Sequence, residues 1–167
     1  RMNFCLNFVK KSLSLELDNY TELTDLSLEK PITKQAFSKA RLHISPEAFK
    51  ELFLMTSKII LDEKKIKKFK NYRIFAIDGT ELILSNSKEL HRVFSGRKTT
   101  APRARTSIMC DVLNVGIIHS EISPLQIDER KLAIKHLEYF KEHSKCKDIV
   151  ILDRGYPSKS MIEYFYK

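Results

Sequence analysis

A single aspartate, Asp78, interrupts the apolar run RIFAIDGTELIL at residues 73–84, and few features of this chain restrict its fold as much. The run is rich in Ile, Phe and Leu on alternating faces, which suits a strand in a buried sheet. A carboxylate there is costly, because a buried unpaired charge must find a partner or neutralise. A second short apolar run, DIVILD at residues 148–153, also ends in an aspartate, Asp153. Each is ordinary by itself, since Asp before Gly marks turns and Asp at a strand end caps helices. They acquire chemical meaning only if the fold brings them together.

The segments between them predict that it does. Residues 85–104 are polar, contain Gly96 and Pro102, and read as a long loop. TSIMCDVLN and GIIHSEI read as two strands, with Asn114-Val115-Gly116 folding them into a hairpin. Asp128 caps a helix running to about His143, with Leu132, Ala133, Leu137 and Phe140 as its buried stripe. DIVILD follows as a strand, and Gly155, Pro157 and Ser158 lead into another helix. The fold class is α/β, in the order β-β-β-α-β-α, the first half of a ribonuclease H-like fold. A strand, helix, parallel-strand crossover sets the fourth strand beside the first, so Asp153 at its carboxyl end approaches Asp78. Converging carboxylates repel unless a divalent cation lies between them, and Mg²⁺ takes a few carboxylate oxygens with waters and phosphate oxygens. That is the two-metal arrangement for phosphoryl transfer, in which one ion activates the attacking oxygen and the other stabilises the leaving oxygen. Glu81 falls on the opposite face from Asp78, and Asp111 on the second strand has a hairpin or surface role.

Ahead of this region, residues 3–62 carry apolar residues at helical spacing with almost no glycine. Pro31 breaks the pattern, Thr33 caps a helix with Ala36, Phe37 and Ala40, and Ser45-Pro46 starts another. That last helix shows Phe49, Leu52, Phe53, Thr56 and Ile60 on one side. KKIKKFK at residues 64–70 is a joint with Ile66 and Phe69 as apolar anchors, either a solvated helix end or a DNA contact. The expected organisation is a helical region over residues 1–70, a candidate DNA-binding part, and a catalytic region over residues 71–167.

The charge balance points to a polyanionic partner: Lys+Arg 30 against Asp+Glu 21 gives a net charge of +9. Excess lysine serving only solubility is the alternative. No apolar run is long enough to span a bilayer and no strongly apolar leader is present, so no membrane partner is expected. Cys5, Cys110 and Cys146 are odd in number and widely spaced, as in a reduced cytoplasmic chain, and the five histidines show no HExxH pattern and are assigned no role. Lys88, Arg92, Arg97, Lys98, Arg103 and Arg105 cluster in the expected loop near the strand bearing Asp78. They read either as phosphate contacts or as an ordinary charged loop. Arg154, directly after the second aspartate, is expected to be a further phosphate contact.

At these residues the chain resembles a known family. AIDGTELIL, ARTSIMCDVLN, DERKLAIKHL and ILDRGYPS are similar, in order and spacing, to the catalytic domain of DDE transposases from bacterial insertion sequences of the IS-four type. QAFSKARLHISPEAF is similar to the helical segment preceding that domain, so the resemblance runs from about Gln35 onward, with AIDGT and DRGYPS its most specific blocks. It implies that Asp78 and Asp153 are the first and second catalytic aspartates and hold Mg²⁺ or Mn²⁺. The implied activity is nicking of double-stranded DNA at terminal inverted repeats by activated water, then attack of the freed 3′ hydroxyl on another phosphodiester, with no covalent enzyme intermediate. It also implies a homodimer in the DNA complex and a bacterial cytoplasmic location. The family's third acid, a glutamate in a Tyr, Arg, Glu, Lys signature, has no counterpart up to Lys167, and Glu163 follows Asp153 too closely to replace it. The chain is therefore expected to be a fragment, inactive alone. A DNA-binding or dimerising remnant without chemistry is the alternative. IFAIDGTEL also resembles the strand ending in D-x-D-G-T of haloacid dehalogenase-type phosphatases, but Ala76 stands where that covalent chemistry needs an aspartate nucleophile.

Overall fold

The computed structural model describes residues 12–23, 32–61, 66–94, 101–144 and 147–166. They divide into two compact units, residues 1–53 and 54–167. Among the described residues no helix is long and apolar enough to cross a membrane.

The first unit contains α1 (Leu13–Leu23), α2 (Lys34–Arg41) and the opening turns of α3 (Pro46–Leu61). Local chemistry sets these boundaries. The Thr33 hydroxyl accepts the Ala36 N–H at 3.2 Å, and the Ser45 hydroxyl accepts the Glu47 N–H at 3.2 Å ahead of Pro46, the first helical residue. Leu17 and Phe37 form the small core, with Leu13 and Tyr20 packed against it. Of the apolar positions expected on α2, only Phe37 is buried and Ala36 is exposed. Pro31 lies outside the described residues.

The division between units falls inside α3, not at the lysine-rich stretch. Ile60 and Leu61 pack against the core of the second unit, and the Ser57 hydroxyl donates to the Ile117 carbonyl at 3.3 Å, so the last turns of α3 belong with the sheet. Thr56, expected on the packed side, is exposed, and Ser57 is buried in its place. Phe69 is no anchor: it is 53% exposed, flanking a tight turn in which Lys70 and Asn71 take left-handed φ of 47° and 66°.

The second unit is a four-stranded mixed sheet. Its strands are β1 (Arg73–Ile83), β2 (Arg103–Asp111), β3 (Gly116–Pro124) and β4 (Asp148–Leu152), in the order β3-β2-β1-β4. β1 pairs antiparallel with β2, β2 antiparallel with β3, and β4 parallel with β1. The expected crossover is present: α5 (Glu129–His143) connects β3 to β4, capped by Asp128, whose carboxylate accepts the Arg130 N–H at 2.9 Å. Every residue of its expected stripe is buried. The core on this side joins Phe75, Ile77, Met109 and Ile118 of the strands to Ala133, Leu137 and Phe140 of α5, and to Tyr156 and Met161 after β4. Phe75 meets Phe140 edge-on with ring centroids 4.4 Å apart. Each buried Phe, Ile, Leu or Met side chain among them contributes about 1.5–3 kcal/mol through burial. α6 (Lys159–Phe165) follows, capped by Ser158.

Three expectations are corrected here. Residues 85–104 are not one loop: α4 (Lys88–Phe94) forms where the Ser87 hydroxyl accepts the Leu90 N–H at 3.2 Å, and β2 already begins at Arg103. Of the three expected turn residues, Val115 takes the left-handed conformation, at φ 52°, while Gly116 already belongs to β3. A Cβ at Gly116 would stand 2.3 Å from Ile60 Cδ1, so any larger residue there would push the Ile60 side chain aside. Asp111 is not at the surface: its carboxylate accepts the Leu113 and Asn114 N–H groups and pairs with the buried Arg73 at 3.3 Å, so of its two expected roles the hairpin role is the one it plays.

Candidate active site

The ladder between β1 and β4 sets the two aspartates level. Its last parallel pair is Ile77 with Leu152, and the next residue on each strand is Asp78 and Asp153. β4 ends there while β1 continues to Ile83 against β2, so among the described residues the outer edge of β1 is open from Asp78 onward. Asp78 alternates with the buried Ile77 and Asp153 follows the half-buried Leu152; both aspartates are exposed. The desolvation cost attached to a mid-strand carboxylate therefore does not arise. Among the described residues each carboxylate accepts only the next backbone N–H, Gly79 at 2.8 Å and Arg154 at 2.6 Å, and neither forms an ion pair.

The turn after β4 folds back over this notch. Tyr156 N–H donates to the Asp153 carbonyl at 3.0 Å, and the Arg130 guanidinium donates to the Gly155 carbonyl at 3.2 and 3.1 Å, tying the turn to the first turn of α5. Tyr156 is 3% exposed, and its hydroxyl has no hydrogen-bond partner among the described residues. It lies 3.8 Å from where a Cβ on Gly79 would stand, and the Glu129 carboxyl carbon is 3.9 Å from the same point. Burial first, and then the charges of Glu129, Asp78 and Asp153, push the phenol above its ordinary range, with Arg105 opposing. Among the described residues no group of three or more His, Cys, Asp or Glu is placed to hold a metal ion. Asp153 and Arg154 also line a cleft of roughly 380 Å³, with Leu152, Pro157, Met161 and Phe165 among its apolar lining.

The described basic residues expected to contact phosphate lie on three parts of the fold. Lys88 and Arg92 are exposed on α4, and Arg154 is exposed beside Asp153. Arg103 and Arg105 lie in β2, not in a loop: Arg103 pairs with Glu81 at 3.2 Å, and Arg105 donates to the Ile127 carbonyl at 2.9 Å and faces Glu129 at 3.6 Å. Arg105 is thereby committed within the fold. Arg97 and Lys98 lie outside the described residues.

A buried network supports β1 from behind, and no histidine pattern in the sequence pointed to it. The Ser107 hydroxyl donates to the Asp78 carbonyl at 3.4 Å and bonds His136 Nε2 at 3.0 Å, while His136 Nδ1 meets His119 Nδ1 at 2.8 Å. His119 stacks on Tyr139, with Glu121 beside it. His136 is fully buried, and burial with the adjacent His119 pushes its pKa down to about 4; burial lowers His119 as well. The only advance signal was the position of His136 on the apolar stripe of α5 between Ala133 and Leu137. The chain matches no protein-family model, no curated protein and no solved structure.

Proposed function

We propose that this chain carries part of the catalytic centre of a DNA transposase of the DDE kind, on a ribonuclease H-like sheet, with Asp78 and Asp153 as paired ligands of Mg²⁺ or Mn²⁺. The observation that supports the reading is the parallel register of β1 and β4, whose last pair is Ile77 with Leu152, each followed directly by one of the two aspartates. The β3-β2-β1-β4 order with a helical crossover agrees with it. The donor set fits a divalent cation of the Mg²⁺ class, which is commonly held by one or two carboxylates and completed by waters and phosphate oxygens. Two exposed carboxylates without cationic partners among the described residues have that chemistry. When bound, the ion would polarise phosphate and water oxygens for in-line displacement. The protein's own part is to hold both carboxylates on one rigid ladder and to offer Arg154 for a phosphate, with Lys88 and Arg92 as outlying contacts.

The substrate class is duplex DNA, at insertion-sequence ends, bound by a homodimer in a bacterial cytoplasm. Two carboxylates alone would position one ion loosely, and small displacements of reacting groups cost orders of magnitude in rate, so cutting would call for a further acidic ligand. The phosphatase reading loses support, since β1 runs on through Ile83 in place of ending at the aspartate and Ala76 offers no nucleophile. A nicking assay on supercoiled plasmid tests the proposal, using the chain, a version lengthened through a third carboxylate, and its Asp78→Ala and Asp153→Ala variants. Metal-dependent nicking by the lengthened protein, lost in both variants, is expected. Undiminished nicking by either variant would overturn the assignment.

A further inference from the structure

We propose that Tyr156, backed by Glu129, is a positioning residue of this site, its hydroxyl donating to a water shared between the aspartate pair and a bound divalent cation. The inference rests on the metal reading above and adds to it a named outer layer. Tyr156 sits where packing alone gives no reason for a hydroxyl. The residue is 3% exposed, the oxygen is buried, and no described residue bonds it. Leaving such a group unsatisfied is more costly than replacing it with hydrogen, so a tyrosine used only for packing would serve better as phenylalanine.

Its placement is set by the same elements that set the aspartates. The backbone bond from Tyr156 to Asp153 and the Arg130 bonds to Gly155 fix the turn over the open edge of β1. Gly79, directly after Asp78, leaves the space into which the hydroxyl and the Glu129 carboxylate both project; a Cβ there would already meet the Thr106 carbonyl at 3.3 Å. Arg105, 3.6 Å from Glu129, holds that carboxylate at the notch. Glu129 is not placed as a direct ligand alongside the aspartates. A water, with two hydrogens and two lone pairs, has the hydrogen-bonding capacity to join a phenol, a carboxylate and a cation's hydration sphere.

The chain has no tryptophan, so tyrosines are the only strong sensitisers of lanthanide emission. The test uses Tb³⁺ alone as the probe, on the parent chain and on Tyr156→Phe, Glu129→Gln and Asp78→Asn, with far-UV circular dichroism to verify folding. Affinity is read separately, by displacement of Mn²⁺ followed by electron paramagnetic resonance. Tyrosine-excited Tb³⁺ emission is expected from the parent, at least fivefold weaker emission from Tyr156→Phe at saturation, and about fivefold weaker affinity in both Tyr156→Phe and Glu129→Gln. Tyr156→Phe with undiminished emission and affinity overturns the positioning role while leaving the metal site standing. Glu129→Gln, which leaves the phenol in place, keeps the test decisive if Tyr156→Phe misfolds: parental affinity in that variant overturns the role equally. Parental affinity in Asp78→Asn, or no binding by the parent, removes the metal reading and this inference with it.

Discussion

Acidification should loosen the sheet through His136 before any ordinary carboxylate titrates. The folded protein holds this imidazole neutral, with a pKa of about 4 against an ordinary value of 6.5. The unfolded chain therefore binds more protons throughout that interval, and stability falls as the pH drops through it. The contribution is intact above about pH 6.5 and is lost progressively down to pH 4. Linkage between these two values gives a loss of about 2 kcal/mol between pH 7 and pH 5, and His119, shifted the same way, adds to it. The groups facing the pair are Ser107 on β2, Glu121 on β3 and Lys135, Tyr139 and His143 on α5. Urea unfolding at pH 7, 6 and 5, followed by far-UV circular dichroism, measures the loss. Replacing His136 with Gln removes the buried titration and costs about 1–3 kcal/mol at pH 7 by disturbing buried hydrogen bonds, yet the further loss on going to pH 5 should shrink to less than half. A His136→Gln protein with the same pH slope as the parent would refute the reasoning.

Three other predictions concern the sheet and its charge. Asp111→Ala leaves the buried Arg73 without its counter-ion and should destabilise the second unit by about 3–5 kcal/mol, as measured by chemical denaturation. Val115→Asn relieves a β-branched residue held at φ 52° on an exposed turn and should raise stability by about 1 kcal/mol, visible as a higher thermal midpoint. Duplex DNA binding should weaken steeply with salt, and Arg154→Ala should flatten that salt slope more than Arg105→Ala, whose side chain is already engaged by Ile127 and Glu129; fluorescence anisotropy titrations at several salt concentrations compare them.

Elements whose boundaries rest on local chemistry were legible in the sequence. Thr33, Ser45 and Asp128 act as caps through their own hydroxyls or carboxylates, and the alternating run around Asp78 can only pair as a strand. The strand, helix, parallel-strand order then pointed to β4 lying beside β1, as it does. Features that depend on tertiary partners were not legible. Ser57 is buried and Thr56 exposed because the carbonyl of Ile117 lies beside one and not the other. Gly116 reads as a turn residue, but it opens β3 and lies against Ile60, more than fifty positions earlier in the chain. Arg105 looks like a phosphate ligand until Glu129 and the Ile127 carbonyl are placed next to it. The His119–His136 pair has no sequence spacing of its own, since a hairpin strand and the crossover helix bring the two rings together only in the packed sheet. α4 was missed because seven residues hold too little periodicity to stand out, although Ser87 before Lys88-Glu89-Leu90 carries a capping signal.

The claim that Asp78 and Asp153 together hold a divalent cation is tested most directly by counting bound Mn²⁺ with electron paramagnetic resonance on the parent, Asp78→Asn, Asp153→Asn and Glu81→Gln. Asparagine at either position keeps a side-chain oxygen for the following N–H and removes only the charge, while Glu81 is engaged by Arg103 and serves as the control. The account predicts one ion on the parent, affinity at least about tenfold weaker in each asparagine variant, since a charged ligand is lost, and parental binding by Glu81→Gln. Parental Mn²⁺ binding by either asparagine variant would contradict it.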